Sequence, residues 1–355
     1  MPPRSIARLV LLVAGVVFSG AWARAAEDPR AVSHPVGVAN RSFEDADRSN
    51  WPGNGPRPVR VTLWYPSEGG GAVEAVEDEG ELVSVRRDGT VTGFRERHPL
   101  ILLSHGSGGN AGQVFWWGHF LAQRGYIVAA VDHNGTDEEE LHRRQPTPTD
   151  FFGWERARDL SLALTRLLAD ARFSPRIDEA RVGAAGFSLG GTTALWTAGA
   201  RLDLEALRLH SPPPPQAIAG AIESLIAHSK TDRVAIAAVS RAGQSYRDPR
   251  IKAVFALAPP MGAGFTPEGL RGVTVPVCIV VGDADQVAPA AGNARHFAAH
   301  IPHARLVVVP GERGHYLQPM AAEQRRRELR EVAEMSANFF DEQWPERRRS
   351  RPPGT

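Results

Sequence analysis

The stretch Gly186-Phe187-Ser188-Leu189-Gly190-Gly191 constrains this chain more than any other. It has the form G-x-S-x-G. The apolar run Arg181-Val182-Gly183-Ala184-Ala185 precedes it and small, helix-compatible residues from Thr192 to Ala200 follow, so the local order is strand, tight turn, helix. A serine hydroxyl is a weak nucleophile unless it stands clear of its own backbone, beside a base and facing amide donors. Glycines two residues before and after Ser188 remove the Cβ atoms that would block so sharp a bend, and the following helix directs its N-terminal dipole at the site. The competing reading is a Gly-rich loop with an incidental serine, and the rest of the chain decides between them.

A rhythm that begins at Pro99 supplies the context. Leu100 to Leu103, Tyr126 to Val131, Arg181 to Ala185, Ile251 to Leu257, Val277 to Val281 and Arg305 to Val309 are short, nearly continuous apolar runs. Strands buried on both faces look like this, as in a parallel sheet covered by helices. Helical patterns fit between them at Gln113 to Arg124, Trp154 to Ala171, Thr192 to Ala200, Ala291 to His300 and Ala322 to Phe340, which makes the fold class α/β. Upstream, His34 to Asn40 and Arg57 to Pro66 read as extended segments joined by a loop at Asn50 to Pro56. Glu68 to Gly80 reads as a mobile Gly- and Glu-rich stretch, and Leu82 to Phe94 as a hairpin centred on Arg87-Asp88-Gly89-Thr90. Arg201 to Asp248 is longer than a βα connection needs and carries Pro212 to Pro215 and a helical pattern from Ala217 to Ala227; it is expected to be a lid or cap.

The ends of the chain suggest an address. Arg4 and Arg8, the apolar core Leu9 to Gly20 and the small-x-small site Ala23-Arg24-Ala25 have the form of a secretory signal over residues 1–25, implying export to a periplasm or the medium without a stable membrane anchor. A single α/β domain is expected over 26–342, then a disordered basic tail over 343–355 that includes Arg347-Arg348-Arg349. Lys+Arg 41 against Asp+Glu 40 leaves no clustered basic excess, which argues against a nucleic-acid partner. The one cysteine, Cys278, lies in an apolar strand pattern, so it forms no intramolecular disulfide and is expected to be a buried, inert thiol. No metal or organic cofactor is indicated.

Ligands of such sheets bind at the carboxyl ends of the strands. The first end carries Ser104-His105-Gly106-Ser107-Gly108-Gly109, a loop that can turn the Ser107 N–H towards an oxyanion, with the Leu189 N–H as second donor. His105 is expected to be structural. The pair Asp132-His133 and the acidic Asp137 to Glu140 with His142 invite a metal reading, but a solvated acidic turn is the expectation. The strand ending at Leu257 brings no carboxylate, whereas Gly282-Asp283-Ala284-Asp285 brings two, and Gly311-Glu312-Arg313-Gly314-His315 brings a histidine. Chain order is thus Ser188, Asp, His315, the order this kind of nucleophile turn requires. Asp285, beyond the tight Gly282 turn, is the candidate acid, and Asp283 is expected to close that turn through its own backbone. Trp116 and Trp117, after the oxyanion loop, are candidates for lining a substrate pocket.

With these pieces in place the chain resembles the α/β-hydrolases, and within them the platelet-activating-factor acetylhydrolase and dienelactone-hydrolase-like serine esterases. Leu63-Trp64-Tyr65-Pro66, Leu103 to Gly109, Gly125 to His133 and Gly186 to Gly191 carry the resemblance. Dienelactone hydrolases proper use a cysteine where this chain has Ser188. The acetylhydrolases carry their acid after the sixth strand, at the place of Ala258-Pro259 here, so the acid is expected from Asp285. The resemblance implies a mostly parallel sheet flanked by helices and hydrolysis of a small-molecule or lipid-like ester through an acyl-enzyme. Amide, thioester and polyester hydrolysis, and a non-catalytic binding module on the same scaffold, are the alternatives.

Overall fold

The computed structural model describes residues 34–92, 97–135, 152–210, 227, 230–316 and 321–344, within one compact unit, Ser33–Thr355. Along the chain the strands are β1 (Val36–Ser49), β2 (Pro56–Gly69), β3 (Ala72–Asp78), β4 (Glu81–Arg87), β5 (Thr90–Val91), β6 (His98–Ser104), β7 (Ile127–His133), β8 (Ile177–Phe187), β9 (Ala253–Leu257), β10 (Val277–Gly282) and β11 (Ala304–Val309). The helices are α1 (Phe115–Gln123), α2 (Glu155–Leu167), α3 (Leu189–Ala198), α4 (Leu204–His210), α5 (Arg233–Ser240), α6 (Pro267–Leu270), α7 (Ala294–His300) and α8 (Ala322–Gln343).

The expected α/β class is the observed one. The sheet order is β11-β10-β9-β8-β6-β7-β2-β1-β4-β3, with β5 beside β2. From β7 to β11 every pair is parallel, and β2 joins this block antiparallel to β7. Apolar runs in β6 to β10 bury both faces: Leu100, Ile101, Leu102 and Leu103 are all 0% exposed. One core cluster packs α2 and α3 on one face, and the other packs α1 and α8 on the opposite face. The strand ends at Ser104, His133, Phe187, Leu257, Gly282 and Val309 therefore open on one edge, where the site is built.

Two expectations before β6 are corrected. Glu68 to Gly80 is no mobile loop: β3 pairs antiparallel with β4, and the hairpin turns at Glu79-Gly80, both at positive φ, rather than at Arg87 to Thr90. What holds an acid-rich stretch in place is distant in sequence, since Arg325 and Arg326 of α8 bond the Glu79 carboxylate and carbonyl. Order also continues past 342, because α8 runs through Gln343 and Trp344 stacks on Phe340 at 5.3 Å. The expected signal, the acidic run Asp137 to Glu140 with His142, Pro212 to Pro215, most of Ala217 to Ala227 and the basic tail from 345 lie outside the described residues. Among the described residues no helix is long and apolar enough to cross a membrane, and no cluster of metal-ligating side chains occurs.

Candidate active site

The turn between β8 and α3 is as tight as its glycines suggest. Ser188 sits at φ 53° and ψ −123°, a region that side chains avoid. Its N–H donates to Leu257 O at 2.8 Å, stitching the turn to the end of β9. A Cβ on Gly186 would meet Gly190 O at 2.2 Å, and one on Gly190 would meet Ser104 O at 2.0 Å, so backbone occupies the space side chains would need. Ser188 is half-buried while its neighbours Phe187 and Leu189 are buried. The hydroxyl thus projects from the helix N-terminus towards the strand-end edge.

Asp285 and His315 come together as expected. His315 Nδ1 lies 2.7 Å from Asp285 Oδ2, with both residues buried. The other carboxylate oxygen accepts from the N–H groups of Val287 at 2.9 Å and Ala288 at 2.8 Å, which fixes the acid in its turn. Burial alone would raise the Asp285 pKa, but the His315 ring and these amides outweigh it and hold the carboxyl below its ordinary range. An ionised acid at Nδ1 assigns the proton to that nitrogen and leaves Nε2 as the basic one. The Phe187 ring, adjacent to Ser188, packs at 4.8 Å from the imidazole, so histidine and elbow are neighbours. No hydrogen bond joins Ser188 to His315 among the described residues.

Asp283 reaches beyond its own turn. Its two oxygens accept from the N–H groups of Gly311 at 3.0 Å and Arg313 at 2.8 Å, tying the histidine loop to the end of β10. The same loop is anchored to α8 by an ion pair between half-buried Arg313 and buried Glu328. Exposure of Asp283 and occupancy of both its oxygens by backbone leave Asp285 as the partner of His315.

The Ser104 to Gly109 loop is held from both sides. Gly106 N donates to Gln113 Oε1 at 2.8 Å, and Arg156 of α2 donates to His105 O at 2.7 Å. Neither the Ser107 nor the Leu189 N–H has an internal acceptor among the described residues. His105 is buried and structural in its surroundings, as expected. The solvated turn expected at Asp132-His133 is corrected: Asp132 accepts from Ala111 N at 2.6 Å, and His133 is 0% exposed. His133 Nδ1 meets Asp159 Oδ2 at 2.9 Å, and its Nε2 meets Ser104 Oγ at 2.9 Å. Asp159 also binds Arg48 at 2.6 Å and Arg57 at 2.7 Å. Burial and Arg156 push the His133 pKa down to about 3, so the ring is neutral.

Trp116 and Trp117 do not line a pocket. Both belong to the core on the α1–α8 side, stacked on each other at 5.3 Å, and Trp117 is 0% exposed with Nε1 donating to Ser336 Oγ at 2.7 Å. The physical reason is that α1 turns this face towards α8 and the sheet. Cys278 is buried as expected, and burial raises its thiol to about 11.

Comparison with known proteins adds three findings. A family model described as PETase, PET hydrolase-like, matches residues 91–241, a stretch with Ser188 and the Ser104 to Gly109 loop that ends before Asp285 and His315. The chain is 35% identical to Cutinase est1 of Thermobifida alba over 122 residues, 33% of this chain and 37% of that one. It is 33% identical to Cutinase 2 of Thermobifida cellulosilytica over 122 residues, 33% of this chain and 42% of that one. The chain thus spans well under half the length of these relatives. A ferulic acid esterase from Streptomyces cinnamoneus superposes with a TM-score of 0.60 at 21% identity, over 93% of this chain and 96% of that one. The fold is that of the α/β-hydrolases. These matches do not single out the acetylhydrolase or dienelactone-hydrolase branch.

Proposed function

We propose that this α/β-hydrolase-fold chain hydrolyses carboxylic esters through an acyl-enzyme, with Ser188 as nucleophile, His315 as base and Asp285 as its orienting acid. The observation that carries the reading is the strained Ser188 turn beside a His315 whose Nδ1 is 2.7 Å from Asp285. His315 Nε2 takes the Ser188 proton as Oγ attacks the ester carbonyl, and the carbonyl electrons move onto oxygen. The Leu189 and Ser107 N–H groups receive that oxyanion. Collapse expels the alcohol with the proton from His315, and water, deprotonated by the same ring, then releases the acid. No step requires a cofactor.

The expected test is hydrolysis of p-nitrophenyl esters from acetate to long acyl chains by the mature protein and Ser188→Ala in parallel. Turnover should vanish in the variant while its folding is kept; persistence of activity would refute the serine mechanism. A second reading, polyester hydrolysis, is favoured by the likeness to cutinases and to the PET hydrolase-like model. Release of soluble acids from a polyester film, against the rate on a soluble ester, separates the two. Export of the chain rests on the signal pattern of residues 1–25, and cleavage near Ala26 would be read by N-terminal sequencing. The segment Arg201 to Asp248 acts as a cap; α5 within it is fixed to α2, through Trp154 Nε1 to Ala238 O at 2.9 Å and Arg241 to Glu155 at 2.8 Å.

A further inference from the structure

A buried guanidinium behind the Ser107 loop has no role in the chemistry above. Arg156 is 0% exposed, and its Nη2 donates to His105 O at 2.7 Å and to Gly106 O at 3.3 Å. His105 is 1% exposed, and its Nε2 receives the His133 N–H at 3.3 Å. That nitrogen is therefore the acceptor, and in a neutral ring the proton sits on Nδ1. Burial, then Arg156 and His133, keep the ring neutral by pushing its pKa well down. Nδ1 points at Gly106 O, 2.7 Å away. With Nδ1 a donor, its 3.0 Å approach to Arg156 Nη2 is the meeting of two donors that share one carbonyl, not a hydrogen bond.

Gly106 O thus faces Nδ1–H of His105, Nη2–H of Arg156 and also the Gly109 N–H at 3.3 Å. This carbonyl belongs to the same planar peptide as the Ser107 N–H, so fixing its direction fixes that of the donor at the other end. Donation to a carbonyl also polarises its amide and strengthens the N–H. The second donor leans on the same strand end, because Ser104 O lies where a Cβ of Gly190 would be.

We propose that His105 and Arg156 are positioning residues that aim and polarise the Ser107 N–H as an oxyanion donor. The assignment rests on the serine-hydrolase reading. It is tested on the full mature chain with His105→Leu, which removes the Nδ1 donor, His105→Asn, whose amide places a donor where Nδ1 was, and Arg156→Lys. The readouts are kcat and KM on p-nitrophenyl butyrate, the pH profile, and inhibition by an alkyl trifluoromethyl ketone, whose adduct with Ser188 carries an oxyanion. Loss of a whole oxyanion donor costs about 10²–10³ in kcat.

His105→Leu should lower kcat by roughly 10²-fold and Arg156→Lys by roughly tenfold, with weaker ketone binding by similar factors, KM within about threefold and an unmoved pH profile. His105→Asn should recover most of the loss. Equal losses in Leu and Asn, or kcat and ketone affinity unchanged, would overturn the assignment in favour of a plain core role. Should His105→Leu not fold, Arg156→Lys decides alone by the same split. A wild-type chain with no ester turnover and no fluorophosphonate label on Ser188 would instead refute the underlying hydrolase reading, and this assignment with it.

Discussion

Ser188 holds a backbone conformation that costs about 1–3 kcal/mol for a residue with a side chain. Replacing it by glycine should therefore raise stability by about 1 kcal/mol, whereas Ser188→Ala should not; urea denaturation of both variants checks this. The two aspartates after β10 should part company in kinetics. Asp285→Asn should lower kcat by about 10⁴, because the imidazole loses the partner that fixes its tautomer, while Asp283→Asn, which only loosens the Gly311 and Arg313 amides, should stay within about tenfold. Ser188, Asp285 and His315 were legible because each follows an apolar run and is placed by its own strand end. The role of Asp283 was not, since its partners are some thirty residues on, in another loop. Trp116 and Trp117 were misjudged because only the packing of α8, far down the chain, decides which face of α1 is dry.

Among the elements, α2 was legible as a helix but not in what it buries. Its buried stripe begins with Glu155, Arg156 and Asp159 before continuing with Leu160, Ala163, Leu164 and Leu167. Helical spacing alone assigns those charges to a solvated end, yet their partners arrive from β1 and β2, about a hundred residues earlier, and from the end of β7. Arg48 meets Asp45, Glu155 and Asp159 while only 4% exposed. Arg48→Met should cost about 3–5 kcal/mol, since Asp159 would keep its charge in the interior with one cation fewer. A urea midpoint that does not move would show that Arg57 alone suffices. By contrast β6 to β10 and α8 were plain from pattern, because strands covered on both faces and a long amphipathic helix write their burial directly into the order of residues.

For the whole molecule, acid sensitivity follows from three buried histidines. His105, His119 and His133 all have pKa values lowered by burial, to about 4 for His119 and about 3 for His133. Below their unfolded value near 6.5 the unfolded chain binds these protons and the folded one does not, so stability is complete above about pH 7 and declines as pH falls. The slope should approach about 1.4 kcal/mol per pH unit for each histidine, read as the urea midpoint between pH 7.5 and 5. A flat profile would mean that these rings protonate in place. Asp159, His133 and Ser104 also stand in the acid–imidazole–hydroxyl order of the proposed site, here with both links hydrogen-bonded and all three residues at 0% exposure. The likeness ends at the base, because a ring with its pKa pushed down to about 3 is a poor acceptor for the Ser104 proton, and burial bars an electrophile besides. An organophosphorus titrant should thus saturate at one equivalent per chain, all of it on Ser188, and a second equivalent would measure how often the interior opens.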